Sequence, residues 1–338
     1  MRFGLSETAD ALRGAVAELL DAEVTPDVVR AGWPEGDPAL VGDAWRKLAA
    51  VGVTGTLVPE DLGGLGLDEN SLVPMLAEIG RSGLPVPAAE TIAVAAPLLA
   101  GGHLPGVLDG DTLVTAQLGD SDLVPFGQQA ALVVLRDGGA LRLFPRDALV
   151  LEPCVTTDGS RGTARLVSRP EARDGMVLTD DPAEVDGAWQ RGVLGTSALL
   201  IGLADRMLTL TVGYVGQREQ FGRPIGSFQA IKHALADALV GVEFARPMLL
   251  AAAWAQSQRS DEATARTSRA QTSVAKVLAS DAARLVARTA IQCHGAIAYT
   301  TEYDLHLYAK QAWALIPAWG GPAWHRARVA EFLGASDD

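Results

Sequence analysis

The chain has 338 residues, a length that allows two or three domains. Hydrophobic residues make up 48% and charged residues 20%, which predicts a globular protein and excludes wholesale disorder. The 28 Lys and Arg residues against 41 Asp and Glu residues give a net charge of −13. A surface this acidic repels phosphate backbones and anionic lipid, so we expect neither a nucleic-acid reader nor a membrane-surface protein.

The two cysteines, Cys154 and Cys293, are too few for a disulfide framework or a structural zinc site. We therefore expect no metal centre and a reducing, cytoplasmic location. Residues 1–18 lack the pattern of a secretory signal. The longest apolar stretch, residues 235–254, is interrupted by two acidic residues, an arginine and a proline, which predicts a buried helix rather than a membrane span.

Residues 1–111 are predicted to form an N-terminal helical domain. A first helix begins at Ser6 or Thr8, because either side chain can cap it and apolar residues then recur every four positions. A later helix, over residues 71–81, ends at Gly83, since glycine readily adopts the left-handed conformation that closes a helix.

The period of the sequence changes over residues 112–186, which predict a small β domain. Residues 132–135 and 141–144 predict two strands, joined by a tight turn at Asp137-Gly138-Gly139. Two further strands are predicted over residues 150–155 and 163–167.

Residues 187–338 return to helical spacing and predict a C-terminal helical bundle. Apolar residues from Phe228 to Val242 recur with a period of 3.6, which predicts a long amphipathic helix. A second long helix is predicted over residues 271–294. The order helical, β, helical predicts an α+β fold with three domains.

Three segments resemble the markers of one known family. Residues 217–229, Gln-Arg-Glu-Gln-Phe-Gly-Arg-Pro-Ile-Gly-Ser-Phe-Gln, closely resemble the signature of the acyl-CoA dehydrogenase family. Residues 292–295, Gln-Cys-His-Gly, together with residues 299–303, resemble a second marker, and the turn at residues 58–66 resembles a third. They stand in family order, and the resemblance covers nearly the whole chain.

The resemblance implies a helical, β, helical fold and a class of flavoproteins that desaturate acyl-CoA thioesters between Cα and Cβ. In these enzymes a glutamate takes the α-proton and N5 of FAD takes the β-hydride. The FAD lies across a subunit interface. The β domain of one chain holds the isoalloxazine, and the C-terminal helices of its neighbour hold the ADP half.

Five residues match the family positions that hold the ADP half of FAD. Arg218 occupies the pyrophosphate position, where a guanidinium supplies two parallel donors, and Phe221 occupies the position that packs on the adenosine. Gln229 and Gln292 can bond ribose and phosphate, and Gly295 allows close approach of the backbone. Taken singly, Arg218 could be a solvated charge, Phe221 a core residue and Gly295 a helix cap. Their joint order favours cofactor binding.

The two family positions for the catalytic base carry no carboxylate in this chain. The commonest position lies 17 residues after Glu302, where this chain has Trp319, and an indole cannot accept the α-proton. The alternative position, at the start of the third domain, holds Gln190. Glu184 and Asp186 lie nearby and are interpreted as part of a polar linker.

The β domain also departs from the family pattern. Members with a complete flavin site carry a Thr-Glu-Pro segment, a Gly-Ser-Asp segment and a Trp-Ile-Thr strand near the flavin. Here residues 114–118 lead within a few residues to 120–125, and the Trp-Ile-Thr strand is missing. The β domain is therefore predicted to be truncated in the part that grips the isoalloxazine.

The base and the isoalloxazine grip are lost together while the ADP-side residues remain, which predicts a non-catalytic subunit. The resemblance implies an α2β2 heterotetramer of the kind that acts on CoA thioesters of steroid side chains. This chain would then share FAD with a catalytic partner subunit and be inactive alone, with electron-transfer flavoprotein as the acceptor. Two alternatives stay open: a flavin-free structural or regulatory subunit, and an autonomous homotetrameric flavoenzyme with an unrecognised base.

Overall fold

The computed structural model describes residues 4–99 and 104–334. Its N-terminal part is helical. The helices are α1 (Glu7–Glu23), α2 (Pro26–Ala31), α3 (Pro38–Ala50), α4 (Glu69–Ser82) and α5 (Leu104–Leu108), with a π-helical segment over Ala89–Ala95. Ser6 is the residue that caps α1, because its hydroxyl accepts a hydrogen bond from the Ala9 N–H at 3.1 Å.

Two small sheets follow the N-terminal helices. Their strands are β1 (Val114–Gln117), β2 (Leu123–Val124), β3 (Leu132–Asp137), β4 (Ala140–Pro145), β5 (Leu151–Pro153), β6 (Ala164–Leu166) and β7 (Met176–Thr179). One sheet has the order β1-β3-β4-β7 and the other β2-β6-β5. The four predicted strands correspond to β3, β4, β5 and β6, and β3 pairs antiparallel with β4 across the predicted turn.

The C-terminal part is a bundle of long helices. Its elements are α6 (Pro182–Gln217), the hairpin β8 (Glu219–Gln220) and β9 (Arg223–Pro224), α7 (Gln229–Ser257), α8 (Glu262–His294), α9 (Leu305–Leu315) and α10 (Pro322–Phe332). Helices α6, α7 and α8 pack against one another along their lengths. The predicted α+β architecture, with helical regions on either side of a small β region, is confirmed.

Glycines let the N-terminal helices pack directly against the C-terminal bundle. A Cβ at Gly80 of α4 would lie 2.3 Å from the carbonyl oxygen of Leu199 in α6. A Cβ at Gly202 of α6 would lie 1.9 Å from the carbonyl oxygen of Ala77. Only glycine fits at either place, so α4 and α6 make backbone-to-backbone contact and one apolar core runs through both helical regions.

One predicted helix start and one predicted role are wrong. Helix α6 begins at Pro182, capped by the Asp181 side chain, and α8 begins at Glu262 instead of residue 271. Glu184 and Asp186 therefore lie in the first turns of α6 and do not form a linker. Asp186 is a structural acceptor, because its carboxylate pairs with Arg259 at 2.9 Å and ties α6 to the loop before α8.

Helices α6 and α7 are long and apolar enough to cross a bilayer by length and composition alone. The apolar stretch of α6 is mostly buried inside the bundle, as in the core helix of a globular protein, whereas less than half of the stretch in α7 is buried. Leu239, Val240 and Phe244 of α7 are 47%, 51% and 69% exposed, and helical spacing places them on one side of the helix. We call these three residues the α7 apolar face.

Candidate functional site

A cavity of about 1330 Å³ lies between the β region and the C-terminal helices. Its wall is formed by the loop after β1, the first turns of α6 and α8, and the segment from the end of α9 through α10. Both predicted base positions, Trp319 and Gln190, line this cavity, although 129 residues separate them in the sequence. The fold therefore brings the two positions together, as the resemblance implies.

The Trp319 side chain is packed into the cavity wall. It is 9% exposed, and its backbone adopts a positive φ of 57°. A Cβ at Gly192 of α6 would lie 2.5 Å from the Trp319 ring, so the absence of a side chain at residue 192 makes room for the indole. Trp189 packs edge-on against Trp319 and against Trp324, with ring centroids 5.5 and 6.0 Å apart. We call these three residues the tryptophan cluster.

Gln190 offers no base at the alternative position. It is 7% exposed, and its Nε2 donates a hydrogen bond to the Asp186 carboxylate at 3.2 Å. A side-chain amide stays neutral and does not take up a proton at neutral pH. Neither predicted base position therefore supplies a general base to this cavity.

Four carboxylates line the cavity among the described residues, and three of them are paired with arginine. The pairs are Glu90 with Arg161 at 2.9 Å, Asp186 with Arg259 at 2.9 Å, and Glu331 with Arg328 at 3.1 Å. Burial raises the pKa of Glu90, and the Arg161 guanidinium opposes that rise. The fourth carboxylate, Asp120, is exposed on the loop after β1.

Two buried side chains hold the segment that carries Trp319. Nζ of Lys276 donates hydrogen bonds to the carbonyl oxygens of Leu315 at 2.8 Å and Ile316 at 3.2 Å. Burial lowers the pKa of Lys276 to about 7 and that of His325 to about 4. His325 is therefore neutral at physiological pH, and its Nε2–H donates to the Trp319 carbonyl at 3.0 Å. Neither residue was predicted from the sequence, because both bond main-chain carbonyls. The carbonyls that Lys276 bonds are 39 and 40 residues away, and the one that His325 bonds lies across a turn, six residues earlier.

Two of the predicted cofactor residues lie around the β8–β9 hairpin, away from the cavity. Arg218 caps the end of α6: its N–H donates to the Tyr214 carbonyl, and its own carbonyl accepts from the Ile225 N–H, both at 2.8 Å. Within the described residues the Arg218 guanidinium has no hydrogen-bond or ion-pair partner. Phe221 stands at the tip of the hairpin with a positive φ of 55° and is 91% exposed, so it is not a core residue.

The other three predicted cofactor residues lie at helix ends. Gln229 is the first residue of α7 and Gln292 lies in the last turn of α8; both are exposed, and neither side-chain amide is bonded within the described part of the chain. Gly295 caps α8 with a φ of 66°, a conformation that favours glycine, and a Cβ there would meet no atom within 4 Å. The backbone at Gly295 therefore faces open space.

The ends of α6 and α8 are held together by an aromatic contact. The Tyr214 ring, one helical turn before Arg218, stacks on the His294 ring with centroids 4.3 Å apart. His294 lies between Gln292 and Gly295. We call Arg218, Phe221, Gln229, Gln292 and Gly295 the ADP-side surface. Tyr214 was not predicted from the sequence, although its spacing of four residues from Arg218 was a usable signal.

The chemistry of this surface fits the ADP half of FAD. The Arg218 guanidinium can pair with a pyrophosphate, and two free amides can bond ribose and phosphate oxygens. An exposed phenylalanine with a fixed backbone offers a flat apolar surface to an adenine ring. Within residues 4–99 and 104–334, Arg218 has no ionic partner and the Phe221 ring is exposed, so both groups are available to a ligand.

Comparison with known proteins finds two family models and several related proteins that match this chain. The family described as "Acyl-CoA dehydrogenase, N-terminal domain" matches residues 6–103, and the one described as "Acyl-CoA dehydrogenase, C-terminal domain" matches residues 188–334. The acyl-CoA dehydrogenase IpdE2 of Mycobacterium tuberculosis is 35% identical over 317 residues, covering 90% of this chain and 91% of that protein. IpdE2 of Mycolicibacterium smegmatis is 33% identical, covering 91% and 93%.

Two solved structures share the fold over almost their full lengths. A chain of the ChsE4-ChsE5 complex from Mycobacterium tuberculosis superposes with a TM-score of 0.83 at 26% identity and covers 100% of both chains. A chain of the Tcur3481-Tcur3483 steroid acyl-CoA dehydrogenase variant gives 0.83 at 27% identity, covering 97% and 98%. One of these two structures is described as a steroid acyl-CoA dehydrogenase, and the family matches together with the 35% identity to IpdE2 show that the chain belongs to the acyl-CoA dehydrogenase family.

Proposed function

We propose that this chain is the non-catalytic subunit of a heteromeric, FAD-dependent acyl-CoA dehydrogenase. Its role is to supply the ADP-side surface to FAD held mainly by a catalytic partner subunit. The substrate of the assembled enzyme is a CoA thioester. Because one related structure is described as a steroid acyl-CoA dehydrogenase, the proposed substrate is the CoA thioester of a steroid side chain. Electron-transfer flavoprotein is the acceptor in this proposal.

The observation that carries the proposal is the contrast between the two candidate sites. In the cavity, Trp319 and Gln190 stand where a base is required, and the tryptophan cluster occupies the wall. On the ADP-side surface, Arg218 and the two glutamines keep unpaired donors. When bound, FAD supplies the hydride acceptor for desaturation. This chain's residues contribute binding: Arg218 neutralises the pyrophosphate charge, and Gln292 orients the ribose.

A second observation supports a heteromeric assembly. The described part of the chain does not cover the α7 apolar face, which consists of Leu239, Val240 and Phe244. A contiguous exposed apolar surface on a helix marks an interface with another protein. A partner of the same family would have the same helical bundle, and its own apolar helix would pack against this face.

The two cysteines, Cys154 and Cys293, are free thiols, which suit the proposed reducing, cytoplasmic location.

The test is co-expression with a candidate catalytic acyl-CoA dehydrogenase subunit, followed by flavin quantitation. We expect one FAD per heterodimer, because the reciprocal site would need the isoalloxazine grip that this chain lacks. We also expect the chain alone to be colourless and inactive. Two equivalents of flavin per pair, or a yellow homomer that desaturates a thioester, would show an autonomous enzyme, for which Asp120 would be the first base to examine.

Arg218→Ala tests the cofactor role directly. Charge-assisted hydrogen bonds contribute about 1.5–3 kcal/mol. At about 1.4 kcal/mol per tenfold change in affinity, the variant complex should bind FAD roughly ten to a hundred times more weakly. Arg218→Lys should recover part of the loss, since it restores the charge without the bidentate geometry.

Arg284→Ala is the matched control, because Arg284 is an exposed arginine of α8 whose guanidinium pairs with Asp281. It should leave FAD binding unchanged. Flavin retention is measured through dialysis beside the assembly state on a sizing column. An intact complex that keeps its full flavin without Arg218 would favour the flavin-free structural subunit and overturn the proposal.

A further inference from the structure

The last turn of α8 contains a histidine that contacts two tyrosines from different segments of the chain. The His294 ring is 5% exposed and stacks on Tyr214 of α6. Its Nε2 lies 3.1 Å from the hydroxyl of Tyr303, which follows the turn after α8. The Tyr214 and Tyr303 rings also meet edge-on, with centroids 5.8 Å apart. We call Tyr214, His294 and Tyr303 the aromatic triad.

The hydrogen bonds fix which nitrogen of His294 carries the proton. Nδ1 lies 2.8 Å from the carbonyl oxygen of Ala290, one turn earlier in α8. A carbonyl can only accept, so Nδ1 carries the hydrogen and donates. In the neutral ring Nε2 is then the acceptor, and the Tyr303 hydroxyl donates to it. Burial lowers the pKa of His294, which favours this neutral form.

The triad lies between the two halves of the ADP-side surface. On one side, the Tyr214 carbonyl accepts the N–H of Arg218 at 2.8 Å. On the other, His294 is flanked by Gln292 and Gly295, and the Tyr214 hydroxyl reaches the His294 carbonyl at 3.5 Å. The distance between Arg218 and Gln292 is therefore set through the stacked rings, since the two residues themselves lie on different helices.

We infer that Tyr303 and His294 are positioning residues, which lock the α6 and α8 ends so that Arg218 and Gln292 engage one nucleotide together. This inference rests on the proposed function. The Tyr303 hydroxyl holds the imidazole plane, the imidazole holds the Tyr214 ring, and Tyr214 precedes Arg218 by one turn. Neither Tyr303 nor His294 needs to touch the ligand. Among the described residues no charged side chain bonds the imidazole; beyond Tyr303, Asp304 is paired with Arg30.

Tyr303→Phe removes only the hydroxyl and keeps both aromatic contacts. A net hydrogen bond of about 1 kcal/mol corresponds to a fivefold change in affinity, so FAD affinity of the assembled complex should fall about fivefold. Tyr299→Phe is the matched control. Tyr299 lies in the same loop and is 79% exposed, and its hydroxyl has no partner within the described residues, so its loss should have no effect.

A double-mutant cycle separates positioning from a general structural defect. If Tyr303 acts through Arg218, Tyr303→Phe should weaken FAD binding about fivefold in the wild-type background and have almost no effect in the Arg218→Ala background. A merely structural defect would lower affinity by the same factor in both. FAD affinity is measured by titrating flavin-depleted complex, with assembly checked on a sizing column.

The outcomes distinguish this inference from the proposed function. An effect of Tyr303→Phe that is confined to chains with Arg218 supports the inference. Equal factors in the two backgrounds, or a Tyr303→Phe complex as tight as Tyr299→Phe, overturn the inference while a weakened Arg218→Ala complex still upholds the proposed function. An Arg218→Ala complex with unchanged FAD affinity overturns both.

Discussion

Replacing Gly192 with alanine would test whether the tryptophan cluster is a packed unit. The added Cβ would lie 2.5 to 2.7 Å from three carbon atoms of the Trp319 ring, well inside the roughly 3.5–4.0 Å at which carbon atoms attract. Trp319 is nearly buried and Gly192 lies within α6, so neither can withdraw freely. Overpacking of this kind costs about 1–3 kcal/mol. Alanine gains about 0.5–1 kcal/mol over glycine in a helix, so the net destabilisation should be about 1 kcal/mol and at most about 2.5 kcal/mol.

Gly213→Ala is the matched control, because Gly213 lies in the same helix and a Cβ there would meet no atom within 4 Å. It should stabilise the chain by about 0.5–1 kcal/mol. The free energy of unfolding is measured in urea by circular dichroism. In a Trp319→Ala background the ring atoms that clash are gone, and Gly192→Ala should no longer destabilise. If Gly192→Ala is as stable as Gly213→Ala, or if Trp319→Ala leaves its effect unchanged, the contact does not have the packing described.

Two further predictions concern the cavity. Burial lowers the pKa of Lys276 from 10.5 to about 7, so the unfolded chain binds one more proton between those values and wild-type stability falls as the pH drops through this window. The free energy of unfolding should change by about 1.4 kcal/mol per pH unit. Lys276→Met should lower this slope by that amount in urea-unfolding measurements between pH 7.5 and 9.5. Equal slopes for the wild type and the variant would contradict the lowered pKa of Lys276. If the proposed function is right, Trp319→Glu should not restore desaturation, because a base contributes only about 10²–10⁴-fold and the proposed assembly holds no hydride acceptor beside residue 319. The assay pairs this variant with a partner whose own glutamate is removed, and turnover above background would refute the expectation.

Local sequence signals were sufficient for much of the fold. The β3–β4 hairpin was predictable because its turn residues and apolar strands lie within fourteen positions. The end of α4 at Gly83 was predictable because a left-handed glycine, with a φ of 74°, closes the helix. The start of α6 was missed, although Asp181 before Pro182 is a standard cap and first-turn pair, because the polar residues after it resemble a linker.

The candidate site was predictable only in part, because its contacts join residues far apart in sequence. The family markers placed Arg218 and Gln292, and the structure puts both at the same end of the bundle. No periodicity reveals that Trp319 fills the space above Gly192, since 127 residues separate them. For the same reason, the sequence of the alanine-rich helix α8 does not predict that Lys276 is buried and bonds two main-chain carbonyls.

The α7 apolar face also affects how much of this protein a cell can hold. While Leu239, Val240 and Phe244 are uncovered, an unassembled chain presents a surface that chaperones and proteases recognise as misfolded. In the proposed heteromeric assembly, chains made in excess of the partner should therefore be short-lived, and those that assemble should persist. The abundance of this chain would then follow the abundance of that partner without any separate control on synthesis.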